Sequence, residues 1–384
     1  MKPDAALGRR TVGTGISTSL SSSHRLMFPA AGAAAAGVIL WRMLADSPAP
    51  VASPLGALWH GHELVFGMGG AAFAAYTLTA ASSWSGRPPA HGARVGVLFG
   101  LWIAARLAAG GCPGLPVLVA AAFPAWLAVL LLAEARAGRS SKGAAQAALA
   151  LALACADIGV LTGRVSLEPA ILLFALIVSA VGGRMVRAFT ENRRALDGGG
   201  LPLPRDGAGG PGAAGAIIAA ILFDLAGQPA PAATALMVAA AIEMRRLWHW
   251  QVPQVRRDAL IAMLHLGYLW LPAGLFLTGL SRLGAGLGAT DALHALTAGA
   301  MACLIQAVAA RATALRGGSA LKAGRADVLA FACLWCSALV RVMLPTMTTL
   351  AGVLWLLAWL LFLAVHLAAL RHPPPRPAFS GPRA

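Results

Sequence analysis

Acidic side chains are few in this chain: Asp and Glu number 14 against 30 Lys and Arg, and only 11% of the 384 residues carry a charge. Ordinary soluble domains carry roughly 25% charged residues, so a water-exposed surface of the usual kind is excluded. Tyrosine occurs twice and cysteine five times, as Cys112, Cys155, Cys303, Cys333 and Cys336. An odd count without regular spacing is not a disulfide framework. Cys333 and Cys336 have the CxxC spacing, yet they fall inside an apolar run, where packing is a simpler role than metal or redox work. No zincin motif, no glycine loop following a strand and no serine or cysteine triad occurs. A β-barrel reading is poor. The surplus of base, +16 with a pI near 11.4, does not mark a nucleic-acid binder, because the basic residues are scattered through short segments between apolar runs. Anchoring against anionic lipid at a cytoplasmic face accounts for it better.

What the chain has in abundance is apolar sequence. It is 58% hydrophobic, with 44 glycines and a mean hydropathy of +0.73, as expected of helices that approach closely through small side chains. Apolar runs of spanning length recur near residues 26–45, 55–81, 93–110, 115–134, 143–163 and 168–188, then 211–227, 230–247, 258–280, 290–310, 325–345 and 348–369. The expectation is therefore an all-α, polytopic membrane helix bundle of about 12 transmembrane helices. Residues 1–23 read as a polar, basic cytoplasmic tail and not as a cleaved leader, because the first apolar run continues to full spanning length. Residues 24–370 form the transmembrane domain. An inner linker at 189–210 divides it into six plus six helices without a visible internal repeat, and 371–384 is a proline-rich cytoplasmic tail. With both termini cytoplasmic, the outer segments hold only Arg42, Arg106, Arg164, Arg282 and Arg341 of the 30 basic residues, in keeping with the positive-inside rule.

The densest ligand chemistry is Trp59-His60-Gly61-His62-Glu63-Leu64-Val65-Phe66-Gly67, at the outer end of the second run. At about 100° per residue, His60 and Glu63 share a face whereas His60 and His62 point apart. One imidazole could be an axial ligand to an iron porphyrin or bind copper, with Glu63 as its carboxylate partner or a proton carrier. An interfacial polar cap is the simpler alternative. His265, in Met263-Leu264-His265-Leu266-Gly267-Tyr268, falls within the ninth run, where it needs a metal or a hydrogen-bond partner, with Tyr268 on the same face. His294, in Asp291-Ala292-Leu293-His294-Ala295-Leu296-Thr297, lies on the outer side with His60 and His62. Asp291 is placed either to orient its ring or to cap the helix. Asp157, Asp224, Arg106 and Arg341 line a polar pocket or form interhelical pairs. Glu243, Arg245 and Arg246 read as inner-surface charges, and His24, His91, His249 and His372 as solvent-facing. His366 is placed to snorkel to the inner headgroups.

These residues resemble those of the NnrS family. The likeness spans roughly residues 24–370 and rests on Trp59-His60-Gly61-His62-Glu63 with Phe66-Gly67, Ser85-Gly86-Arg87-Pro88-Pro89, Gly182-Gly183-Arg184-Met185 with Phe189-Thr190, His265-Leu266-Gly267-Tyr268, and Ala292-Leu293-His294-Ala295-Leu296-Thr297. The resemblance implies a bacterial inner-membrane protein containing haem and copper and linked to nitric oxide stress and denitrification. His60, His62, His265 and His294 are then candidate haem or copper ligands, supported by Glu63, Tyr268 and Asp291. Nitric oxide or another small gas, membrane lipids, and an electron donor or respiratory complex are the implied partners. One departure stands out: where the family commonly has an arginine followed by Gly-His-Thr-Gly after the tenth helix, this chain has Arg311-Ala312-Thr313-Ala314-Leu315-Arg316-Gly317-Gly318. The histidine is missing, and Arg316 can replace an anion contact but not a metal ligand. A secondary transporter, a metal- or haem-handling protein and a respiratory-complex assembly factor are the alternatives.

Overall fold

Every apolar run becomes a helix. The computed structural model describes residues 20–45, 50, 52–198, 203, 207, 209–250, 257–317 and 320–371. In order, the helices are α1 (Ser23–Leu44), α2 (Gly56–Ser85), α3 (Ala93–Ala109), α4 (Val117–Ala137), α5 (Ser141–Leu161) and α6 (Glu168–Leu196). They continue as α7 (Gly209–Leu225), α8 (Pro229–His249), α9 (Ala259–Arg282), α10 (Ala289–Thr313), α11 (Arg325–Met343) and α12 (Thr348–Ala369). Among the described residues, nine are long and apolar enough to cross a bilayer. Of the other three, α7 is apolar but shorter, α3 carries Arg94 and Arg106, and α8 carries Glu243, Arg245 and Arg246. A small antiparallel hairpin, β1 (Leu315–Gly317) with β2 (Ala320–Lys322), joins α10 to α11, with Leu315 opposite Lys322.

Local chemistry sets the helix ends. The Ser140 hydroxyl accepts from the Gly143 amide at the start of α5, and the Asp258 carboxylate accepts from the Ile261 amide at the start of α9, each satisfying a donor that the first turn leaves open. Pro229 occupies the first turn of α8, where its missing N–H costs nothing. Gly86, at φ 69°, turns the chain away after α2 in a conformation that side chains with a Cβ resist. The α9–α10 contact depends on small residues: a Cβ at Gly274 would lie 3.0 Å from the Leu296 amide nitrogen, and one at Gly267 3.3 Å from that of Leu304. These two backbones meet almost directly.

The helices group in fours. The last helix of each group lies against the first of the next, α4 on α5, α8 on α9 and α12 back on α1. The second helix of each group, α2, α6 and α10, goes to the middle. Their central windows are 83%, 78% and 83% buried, against 39% to 67% for the other long apolar helices. Each of the three also contains a π-helical stretch, Glu63–Gly69 in α2, Val178–Gly182 in α6 and Ala295–Met301 in α10. Widened turns of this kind are uncommon and tend to accompany functional sites.

Several expectations change. The central, π-bulged helices recur every fourth helix, a spacing that the six-plus-six division did not anticipate. The linker begins later than position 189, since α6 continues to Leu196 and buries Phe189 and Thr190 against neighbouring helices. Glu243 and Arg246 are buried rather than at the surface, whereas Arg245 is exposed. His24 is buried too, against the Ser22 and Thr79 hydroxyls, while His91 is exposed and His249 partly so. His366 is enclosed between the Phe362 and Ala309 carbonyls. Cys336 is exposed and Cys333 half-buried on α11, so they are not core residues. His372 and the side chain of Arg316 lie outside the described residues.

Candidate functional site

At one end of the bundle the starts of α2, α6 and α10 meet the ends of α3, α5, α7, α9 and α11, and the charged side chains there meet in pairs. His62 is fully buried. Its Nε2 lies 2.8 Å from an Asp157 oxygen on α5 and its Nδ1 3.1 Å from Glu63. The same Glu63 oxygen accepts a 2.7 Å hydrogen bond from Arg106 on α3. Both imidazole nitrogens therefore face carboxylates, the pattern an imidazolium satisfies as a double donor. With His62 and Arg106 positive and Glu63 and Asp157 negative, the four groups sum to neutrality, as buried charges require. Gly67 leaves the space: a Cβ there would sit 2.7 Å from the Arg106 guanidinium. Its carbonyl, inside the π stretch, accepts from the Trp102 indole at 2.9 Å.

Two further clusters hold α6 and α10 at the same end. Arg282 on α9 bridges Glu168 on α6 and Asp224 on α7, and Arg341 on α11 pairs with Asp291 on α10 at 2.6 Å. Each bulged helix thus carries a carboxylate tied to an arginine from a neighbouring helix. Asp291 consequently does not orient His294, because Arg341 takes its carboxylate.

His60 and His294 form a different arrangement. His294 Nδ1 lies 2.6 Å from the Thr290 carbonyl and His60 Nδ1 lies 3.3 Å from that of Ala57. A carbonyl only accepts, so each ring carries its proton on Nδ1 and presents the Nε2 lone pair, the tautomer of a ligating histidine. The two rings are within electrostatic reach of each other, and both are within reach of Arg341. His60 and His294 thus lie in the same electrostatic neighbourhood, whereas both nitrogens of His62 are taken by Asp157 and Glu63.

His265 sits toward the other end, on α9. The Thr190 hydroxyl donates to the Val186 carbonyl at 2.8 Å and so accepts from His265 Nε2 at 2.9 Å. Nδ1 is left with its lone pair buried and without a partner. Tyr268, three residues on, does not serve this ring. Its hydroxyl donates to a Glu243 oxygen at 2.6 Å, and the Arg246 guanidinium lies 2.9 Å from both oxygens of that carboxylate. The Ser179 hydroxyl completes the cluster on Glu243. Gly183 makes room for it, since a Cβ there would sit 2.5 Å from Arg246 and 2.8 Å from the Tyr268 oxygen. Close by, Arg311 on α10 lies with its guanidinium 3.7 Å above the Phe189 ring. Its Nε is buried without a hydrogen-bond partner. The nearby Asp258 is already bonded to Arg193 and capping α9.

Sequence reasoning passed over Ser179, took Glu243 and Arg246 for surface charges, and met Thr190 and Arg311 only within longer motifs without giving them a role. The opposite charges of Glu243 and Arg246 at i,i+3 were the available signal. Nothing in the local sequence of Thr190 announces its partner 75 positions away.

Among the described residues, no three His, Cys, Asp or Glu side chains converge as a metal-ion site. These residues alone therefore offer no set of three or four protein ligands for a metal ion. A porphyrin needs only one or two axial nitrogens from the protein, and the orphaned Nδ1 of His265 suits that demand. Two Nε2 lone pairs without a protein partner, on half-buried His60 and His294, suit a soft ion of low coordination number. The family described as NnrS protein matches residues 18–373 of this chain. No curated protein matches it.

Proposed function

The chain belongs to the NnrS family, and on that footing we propose that it is a haem- and copper-binding inner-membrane protein that takes up nitric oxide and relieves nitrosative stress. It is a polytopic, apolar helical membrane protein. In this reading all twelve helices cross the bilayer and both termini are cytoplasmic. What supports that topology is the count of basic residues, since only Arg42, Arg106, Arg164, Arg282 and Arg341 of the 30 fall on the outer side.

The observation that carries the proposal is the buried, unpartnered Nδ1 of His265. A bare ring nitrogen in a dry interior costs free energy unless a ligand meets it. Haem bound there would supply an iron with an open position for a diatomic gas. Thr190 fixes the ring and its tautomer. Arg311 offers an unneutralised guanidinium for a carboxylate at the same end, a contact for which the family's missing histidine is not needed. His60 and His294 are assigned to copper, and His62 to bracing α2 against α3 and α5. The recurrence of a central, π-bulged helix at every fourth position favours this reading over a transporter built of two halves.

The test is an absorption spectrum and metal analysis of detergent-purified protein from haem-replete cells, taken oxidised, reduced and with nitric oxide. A haem band that shifts on addition of the gas is expected. Protein with neither haem nor copper under those conditions overturns the reading. His60→Ala and His294→Ala should each release the same copper, and the double variant should lose no more than either single one.

A further inference from the structure

The three π-helical stretches converge on one place. Between α2, α6 and α10 lies a cavity of about 90 Å³ to which each stretch contributes: Gly69 from the first, Val178 and Gly182 from the second, Met301 from the third. Phe73 and Phe174 are among its apolar walls. At one end the helices are drawn tight, since a Cβ at Gly69 would lie 2.9 Å from both the Met301 sulfur and the Phe174 ring. The remaining lining residues are apolar as well, apart from Tyr76. Size does not exclude water, which needs only ~10–15 Å³ of free space, but a water molecule also needs two to four polar partners. Apolar cavities of this order stay dry and take up uncharged apolar guests; this one is only partly enclosed, its lining residues Tyr76 and Ile305 being half-buried.

We infer that this cavity is a binding chamber for a small neutral gas molecule, built by the three widened turns and lying between the His62 cluster and the Glu243 cluster. Charged relatives of such a gas, nitrite and nitrate among them, are excluded because no lining group compensates an anion. The walls are neutral and the volume suits a diatomic molecule. Phe66, next to the π-stretch wall, touches the His62 ring, and the Tyr268 ring lies 3.9 Å from where a Gly182 Cβ would stand. Polar clusters therefore bound the chamber without entering it. The identification of the gas as nitric oxide rests on the reading above. The chamber itself does not.

Xenon is the probe. Crystals of the full chain, pressurised with the gas, should show one xenon between Phe73, Phe174 and Met301. Ala72→Leu, which projects into the cavity, should abolish that peak. Val178→Thr, nearly isosteric and placing a hydroxyl in the wall, should weaken it and admit a water, which keeps the test informative if the larger side chain is poorly tolerated. No xenon at this position, a lipid or detergent tail filling it, or xenon density unchanged in both variants overturns the inference. The separate question of nitric oxide is read from the haem band. A shifted band without xenon refutes the chamber alone, and xenon in protein with neither haem nor copper refutes the haem and copper reading alone.

Discussion

His62 and His265 are both imidazoles buried in apolar helices, yet one has two partners and the other has one. His62 lies between Asp157 and Glu63, with Arg106 completing a neutral set of four. His265 leans on a single hydroxyl and leaves Nδ1 bare. A histidine whose nitrogens are both spent ties helices together. One with a nitrogen in reserve waits for a ligand. Burial alone separates nothing here, because both are enclosed; the count of satisfied nitrogens does.

The comparison breaks or sharpens first at His265→Ala, which should abolish the haem absorbance that depends on this ring while the protein still purifies as folded helices. His62→Ala should do the reverse. It leaves Asp157 uncompensated in the interior, at a cost of about 3–5 kcal/mol, read as a lowered thermal midpoint in detergent, with the haem band unchanged. If His62→Ala bleached the band and His265→Ala only lowered stability, the assignments would be exchanged. Next comes Arg311→Ala, expected to weaken haem affinity by about tenfold through loss of one charge-assisted contact, measured by haem titration of apoprotein. The smallest effect belongs to Tyr268→Phe, which removes one of the hydrogen bonds on Glu243 at a cost of about 1 kcal/mol and should leave every spectrum as it was.

The contrast also explains what the sequence could disclose. Helix positions were legible because long apolar runs alternate with turns at Gly86, Gly163 and Gly227, and the local pattern suffices for that. The extension of α6 through Thr190 to Leu196 was not, because Glu191-Asn192-Arg193-Arg194 has the composition of a linker. Only the tertiary neighbours, His265 and Arg311, give Phe189 and Thr190 something to bury against. His60 and His294 were expected on a common level from charge distribution, and the two rings lie within electrostatic reach of each other. Asp291 was expected either to orient His294 or to cap the helix, and its carboxylate instead pairs with Arg341, 50 residues later. The grouping in fours leaves no repeat in the sequence because it is carried by helix order, burial and three π stretches, none of which demands a particular residue.

Those stretches also set a phase. A π turn accommodates a residue beyond what the regular helix would hold, so the two parts of α2, His60 with His62 before Glu63–Gly69 and Ala72 with Phe73 after it, are rotated relative to one another compared with an unbroken helix. Removing one residue within the stretch would let α2 anneal into a continuous α-helix and swing its two faces out of step by about 100°. Either the imidazoles would leave Asp157 and His294, or the chamber would lose its wall. The widened turn acts as a clutch between the two ends of the helix, allowing each to face the neighbours it requires.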